Sequence, residues 1–343
     1  MKIVDFRSDT ITKPTEEMRK AMYEAEVGDD VYGEDPTINK LEELAAEKIG
    51  KEAALFVPSG TMGNQLALLT HTERGQEIIL EENSHIFMFE VGGLAFLSGL
   101  QSKIVKGEDG ILNSKVIKEA IRSKNIHFPQ TGLICLENTH NMAGGVVTPL
   151  NRMEEIFKLA QQHRIPVHLD GARIFNASTY LDCDVKDIAK YCDSVMFCLS
   201  KGLCAPVGSI LAGDKKFIEK AKKFRKLLGG GMRQAGILAA AGIIALEKMT
   251  HRLVKDHENL RKLAFGLDDI KGINIDKDKI QTNILMVNLK DTGYNSDSFV
   301  YEMKKEGVLA TKIDEHTIRF VTHYHIDEKD IEYTLNVIKR ILN

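Results

Sequence analysis

Short apolar runs alternate with amphipathic ones over most of the chain. The runs Ala53 to Val57, Glu77 to Leu80, Ser102 to Lys106, Gly132 to Glu137, Ile165 to Asp170 and Ser194 to Leu199 have the length and apolar density of buried strands. The segments between them carry helical spacing: Thr37 to Ala45, the run that follows Gln65, an apolar run containing Glu90, Lys115 to Arg122 and Met153 to Gln162. Pro14 ahead of Thr15-Glu16-Glu17-Met18 opens a further helix. Strands buried on both faces and separated by helices predict an α/β fold whose mostly parallel sheet is covered on both sides. Lys215 to Leu228 then reads as a basic helix with one solvated face, followed by Gly229-Gly230-Gly231 and an Ala-rich helix.

The pattern changes near residue 246. A charged helical run from Glu247 through Leu263 leads into a second, smaller unit. Its strands are expected at Asn283 to Leu289 and Thr317 to Thr322, with a strand-like stretch at Gly307 to Lys312, and its helices near Ser296 to Glu306 and Glu328 to Leu342. The expected organisation is an N-terminal arm over residues 1–13, a large domain over 14–246 and a small α+β C-terminal domain over 247–343.

Composition narrows the class. With 343 residues, a net charge of -3 and a pI near 6.4, nothing calls for nucleic acid or an anionic membrane as partner. Cys135, Cys183, Cys192, Cys198 and Cys204 have neither the even count nor the spacing of a disulfide or zinc framework, as befits a reducing compartment. Charges at Lys2, Asp5, Arg7 and Asp9 occupy the place of a signal peptide's apolar core. The longest apolar run, Gly236 to Leu246, is too short to span a bilayer. These features predict a cytoplasmic protein acting on a small molecule. There is no internal repeat and no nucleotide-binding or zinc-protease motif.

Several residues stand where chemistry is expected. Lys201 follows the apolar run from Ser194 and precedes a Gly, Pro, Gly loop, at the rim of a core where a desolvated amine becomes nucleophilic. Snorkelling from a strand end is the alternative for a lone lysine. The strand Ala53 to Val57 turns through Ser59-Gly60-Thr61 into a helix, which aims free N–H groups and two hydroxyls at one point, a seat for a phosphate. His85 lies just past a strand's C-terminal end, where open α/β sheets keep their ligands. Asp170 ends a buried strand and needs a cationic partner, for which Arg173 is the local candidate. No second carboxylate beside it favours a metal. Arg233, after the triple glycine, can bring a cation to a phosphate across a subunit boundary, and Arg319 lies between apolar neighbours on a strand, where it calls for an anion.

Jointly these residues match the needs of pyridoxal 5'-phosphate: a lysine for its aldehyde, a carboxylate for its ring nitrogen, an aromatic group over its ring and a helix N-terminus for its phosphate. Lys201, Asp170, His85 and Ser59-Gly60-Thr61 are the candidates in that order. The sequences Phe6-Arg7-Ser8-Asp9-Thr10, Gly28 to Pro36, Pro58 to Asn64, His168 to Arg173 and Leu199 to Leu203 closely resemble the low-specificity L-threonine aldolases, strongly from residue 6 to about 250 and more weakly beyond. That resemblance implies the aspartate-aminotransferase-like fold (pyridoxal-phosphate fold type I) and a homotetramer with shared active sites. It also implies retro-aldol cleavage of L-threonine or L-allo-threonine to glycine and acetaldehyde through a cofactor-bound substrate. In this reading Ser8, Arg173 and Arg319 grip the substrate carboxylate, Tyr32 lies near the substrate, and Arg173 and Arg233 also serve the cofactor's negative oxygens. His85 and His127 compete, along with water, as the base for the β-hydroxyl, and His140 is structural. The rivals are an aminotransferase or β-eliminating lyase on the same fold, or a non-enzymatic protein that keeps the cofactor fold.

Overall fold

The computed structural model describes residues 3–342, so the first two residues of the expected arm lie outside the described residues. Twelve strands occur among them: β1 (Val4–Asp5), β2 (Ala53–Val57), β3 (Glu77–Glu81), β4 (Gln101–Val105), β5 (Thr131–Glu137), β6 (Val167–Asp170), β7 (Ser194–Cys198), β8 (Ser209–Gly213), β9 (Ile284–Asn288), β10 (Val308–Leu309), β11 (Thr311–Lys312) and β12 (Thr317–Val321). Seven form one sheet in the order β2-β8-β7-β6-β5-β3-β4. Only β8 runs against the others, pairing antiparallel with both β2 and β7. The remaining six therefore present their C-terminal ends along one edge. That edge receives Pro58, Glu82, Asn138, Gly171 and Leu199, the first residues after five of those strands.

Strands β3, β5 and β7 are buried along their whole length, because helices cover both faces of the sheet. Gly60–His71 and Lys215–Leu227 pack on one side, with Leu55, Leu66, Met196 and Leu211 between them. Pro36–Ile49, Leu150–His163 and Gly236–Ile244 join the larger core built on Phe56, Ile134, Leu169 and Phe197. Such cores supply the main favourable term in folding, about 25 cal/mol per Å² of apolar area removed from water.

Two expected elements come out differently. The apolar run around Glu90 is not one helix but two short turns, His85–Met88 and Gly93–Phe96, separated where Val91 and Gly92 take positive φ values of 55° and 67°. Strand β8 lies in a stretch to which the sequence reading assigns no element. The strand-like stretch from Gly307 to Lys312 is divided into β10 and β11, which join different sheets.

The helix Leu253–Asp268 leads into the C-terminal unit, where β12 lies between β11 and β9 in an antiparallel sheet. Ser296–Lys305 and Glu328–Leu342 cover it. The N-terminal arm belongs physically to this unit. Strand β1 runs parallel to β10, Phe6 is fully buried in the same core as Phe299 and Phe320, and the Phe6 carbonyl accepts from Val321 N–H at 2.8 Å. The arm then crosses to the large sheet, where Thr12 Oγ1 donates to the Lys201 carbonyl at 2.8 Å.

Candidate active site

The C-terminal edge of the large sheet, the arm and β12 enclose a cavity of about 360 Å³. Its lining includes Ser8, Ser59, Gly60, Thr61, His85, Asp170, Arg173, Lys201 and Arg319, so nine residues singled out in the sequence meet at one place. Each arrives by a short chain path. The turn after β2 brings Ser59, whose hydroxyl accepts from Met62 N–H and caps the helix that follows. Gly60 lets that helix start lie close to β7, since a Cβ there would come within 3.0 Å of Cys198 Sγ. The helix N-terminus and two exposed hydroxyl residues thus face the cavity.

Asp170 ends β6 and is 2% exposed. One carboxylate oxygen accepts from Ala172 N–H at 3.1 Å and the other from Asn64 Nδ2 at 2.8 Å. Among the described residues no Lys or Arg pairs with it. Contrary to the simplest local expectation, Arg173 turns away to Asp9, donating from Nε and Nη2 to the two carboxylate oxygens at 2.7 Å each. Asp9 is fully buried; burial opposes its charge, but Arg173, Lys201 and the Asn283 amide outweigh that and hold its pKa at about 2.

Lys201 is half-buried, and its ammonium has no hydrogen bond among the described residues. Arg319 is likewise uncommitted to an acid. Nη1 donates to Asn141 Oδ1 at 3.0 Å, Nη2 to the Arg7 carbonyl at 3.2 Å, and Nε is buried with no partner. Burial, with Arg173 nearby, pulls its pKa down to about 10 against the opposing pull of Asp9. Asn141 Oδ1 also lies 3.4 Å from Arg173 Nη1, so one side chain holds both guanidinium groups.

His85 follows β3. Its Nδ1 lies 3.0 Å from Glu90 Oε1, and its backbone N–H donates to Glu137 at 2.6 Å. Burial disfavours the imidazolium, but Glu90, Asp170 and Glu137 together raise its pKa. Asp9, Glu90, Asn64, Glu137 and Asn141 were not singled out in the sequence. The one local signal was an acid, Glu90, inside an apolar run.

A buried carboxylate without a cation, an unbonded lysine amine, an arginine with an orphaned N–H and an open helix N-terminus are the complements of pyridoxal phosphate and an amino acid's carboxylate. The residues present fit that cofactor. His85, Glu90 and Asp170 also approach one another closely enough to suit a metal ion, but the Asn64 amide already donates to both acids. Three sequence candidates lie outside the cavity lining of this chain. His127 is in an exposed loop, Tyr32 is 75% exposed, and Arg233 pairs with Asp29 at 2.8 Å beside the Tyr32 ring. His140 is buried, 3.0 Å from Glu81.

A family model described as β-eliminating lyase matches residues 5–290. Low-specificity L-threonine aldolase 1 of Arabidopsis thaliana is 44% identical over 347 residues, covering 100% of this chain and 97% of that protein. The low-specificity L-threonine aldolase of Escherichia coli K12 is 43% identical over 330 residues, 96% of each chain. In fold, the chain is similar to the threonine aldolase of Leishmania major, with a TM-score of 0.86, 20% identity and 99% of both chains covered. It is also similar to a serine palmitoyltransferase of Sphingomonas wittichii, with a TM-score of 0.78, 16% identity, and 98% of this chain and 86% of that one covered.

Proposed function

Since the chain belongs to the β-eliminating lyase family, with full-length relatives that are low-specificity L-threonine aldolases, we propose that it is a pyridoxal-phosphate-dependent aldehyde lyase cleaving L-threonine and L-allo-threonine to glycine and acetaldehyde. The observation that carries this reading is the buried Asp170 carboxylate, which has no cationic partner among the described residues and lines one cavity with Lys201, whose amine has no hydrogen bond among them. When bound, the cofactor supplies a conjugated ring that accepts the electron pair left at the substrate's α-carbon.

The chain's own residues supply the rest. Lys201 would hold the cofactor's aldehyde carbon, Ser59, Gly60 and Thr61 its phosphate, and His85 would serve its ring. Asp170 would accept a hydrogen bond from the cofactor's ring nitrogen. Arg319 would take the substrate carboxylate with Ser8 and the Nη1 side of Arg173, and so fix the substrate's orientation in the cavity. Glu90 occupies Nδ1 of His85, so the neutral imidazole offers Nε2 to the β-hydroxyl proton.

His127 is the second candidate base, and Arg233 a second cation for the phosphate, each delivered by a neighbouring copy of the chain. Tyr32 reaches a neighbouring copy's substrate in the same way. This arrangement fits a homotetramer, supported by exposed Val91 and Phe96 near His85 and by Ile126 beside His127. In the cytoplasm such an enzyme serves threonine breakdown and glycine supply.

The test is an assay on L-threonine with no keto acid present. Stoichiometric acetaldehyde and glycine are expected, and Lys201→Ala abolishes both turnover and the visible absorbance of bound cofactor; a fully active K201A would refute the assignment. The family model's description favours β-elimination as a second reading. Release of pyruvate from serine without acetaldehyde from threonine would select it.

A further inference from the structure

Asp170 is the cavity-facing end of a longer buried array. Asn64 Nδ2 donates to Asp170 Oδ2 and to Glu90 Oε1, at 2.8 Å each. Behind it, Asn64 Oδ1 lies 3.0 Å from His168 Nε2, His168 Nδ1 lies 2.9 Å from Ser194 Oγ, and Ser194 Oγ lies 2.8 Å from His71 Nε2. Asn64, His168 and Ser194 are fully buried. His71 is at the far end, stacked on Phe217 with ring centroids 4.4 Å apart.

The direction of every bond follows from what each group can give. Carboxylates only accept, so both Asn64 amide hydrogens point at the acids and its oxygen must accept. His168 therefore carries its proton on Nε2, leaving a lone pair on Nδ1. Ser194 donates its hydroxyl proton to that lone pair, and its oxygen accepts from His71 Nε2–H. Four groups in series thus donate toward Asp170, and bonds in such a series polarise one another. Both imidazoles stay neutral in this scheme. In keeping with that, burial pulls His168 down to about 4 against the opposing pulls of Asp170 and the Ser194 backbone, and pulls His71 down to about 3 with help from His168 and Lys220.

We propose that His71, Ser194, His168 and Asn64 form a one-way hydrogen-bond chain that holds Asp170 as an acceptor-only carboxylate toward the cofactor's ring nitrogen. The four are positioning residues, and the proposal rests on the assignment of Asp170 above. Asp170 is also faced by His85 and Glu90 from the segment after β3, by Glu137 and Cys135 on β5, and by His140 beyond it. Those groups are unchanged in the variants below.

Without the chain, Asp170 loses the donors that fix it as an acceptor, and a bound ring nitrogen would keep its proton less firmly. A neutral ring then lets the nitrogen joining Lys201 to the cofactor hold its proton to higher pH. The experiment is a pH titration of the visible band of the bound cofactor in the holoenzyme. His168→Leu is expected to raise the midpoint by about one pH unit, a tenfold change in that equilibrium. His168→Gln, which keeps a donor for Asn64, stays near the wild type. Ser194→Ala, which removes one hydroxyl and tests the idea even if H168L does not fold, moves the midpoint the same way by a smaller amount. An unmoved midpoint in S194A and in a folded H168L would overturn the chain, as would equal shifts in H168L and H168Q. Asp170→Asn separates the two layers: if it also leaves the midpoint unmoved, the assignment of Asp170 itself fails.

Discussion

Arg173 and Arg319 reach the same cavity in opposite electrostatic states. Arg173 brings its own counter-ion, Asp9, in a two-bond pair shielded from water, whereas Arg319 brings none and keeps a buried N–H with no acceptor. The unpaired arginine therefore gains most from an incoming carboxylate. Arg319→Gln is expected to raise KM for threonine by about thirtyfold or more, the worth of one desolvated charge-assisted contact, while leaving the cofactor's visible band in place. Steady-state kinetics and an absorbance spectrum check it, and an unchanged KM would move the carboxylate seat elsewhere. Asp9 itself was not legible in the chain, because its partner lies 164 positions away and its arm has no periodicity. Arg173, by contrast, was legible as a cation needed near Asp170, and only its choice of acid differed.

At the scale of elements, one side chain ties two helices together. Asp35 Oδ1 accepts from Thr37 and Ile38 N–H at the start of Pro36–Ile49, and Oδ2 accepts from Gly236 N–H at the start of Gly236–Ile244. The fit is close, since a Cβ on Gly236 would lie 2.4 Å from Asp35 Oδ1. Asp35→Ala leaves three helix-start N–H groups without an acceptor and is expected to cost about 2 kcal/mol in urea unfolding. A loss within a few tenths of that of a surface substitution would show that water replaces the cap. Both helices are expected from the sequence, but their tie is not, because Gly236 lies 201 positions from Asp35. The same limit explains β8. Ser209 to Gly213 follows the loop carrying Gly202, Pro206 and Gly208, and it becomes a strand by filling the gap between β2 and β7. Glu90 fails as a helix residue for a different reason: its carboxylate is held by Asn64, Gln65 and His85, and the chain kinks at Val91 and Gly92.

Across the whole molecule, the large sheet, the arm and the C-terminal unit are joined through buried polar contacts, and several of these need a neutral histidine. His257, in Leu253–Asp268, lies 3.2 Å from the Asn176 amide, which also donates to Asn283 in the C-terminal unit. Burial, with Arg261 nearby, lowers its pKa to about 4, as burial lowers His168 to about 4 and His71 to about 3. An unfolded chain protonates these rings near pH 6.5, so below that value it binds more protons than the folded protein, and stability falls with pH until the folded pKa is reached. Each ring accounts for about 2 kcal/mol lost between pH 7 and pH 5. His85 and His140 have raised pKa values and act oppositely, since their contribution is complete below pH 6.5 and is lost as pH rises through the folded value. The two groups together place the stability maximum near neutrality. His257 is the ring to test, because it lines no part of the active-site cavity. His257→Gln is expected to cost stability at pH 7 yet to lose about 2 kcal/mol less than the wild type on going to pH 5, so the two curves of unfolding free energy against pH converge in acid. Parallel curves from urea titrations over that range would mean that His257 takes up its proton at the same pH in the folded protein as in the unfolded chain, so that its contact with the Asn176 amide does not require the neutral ring.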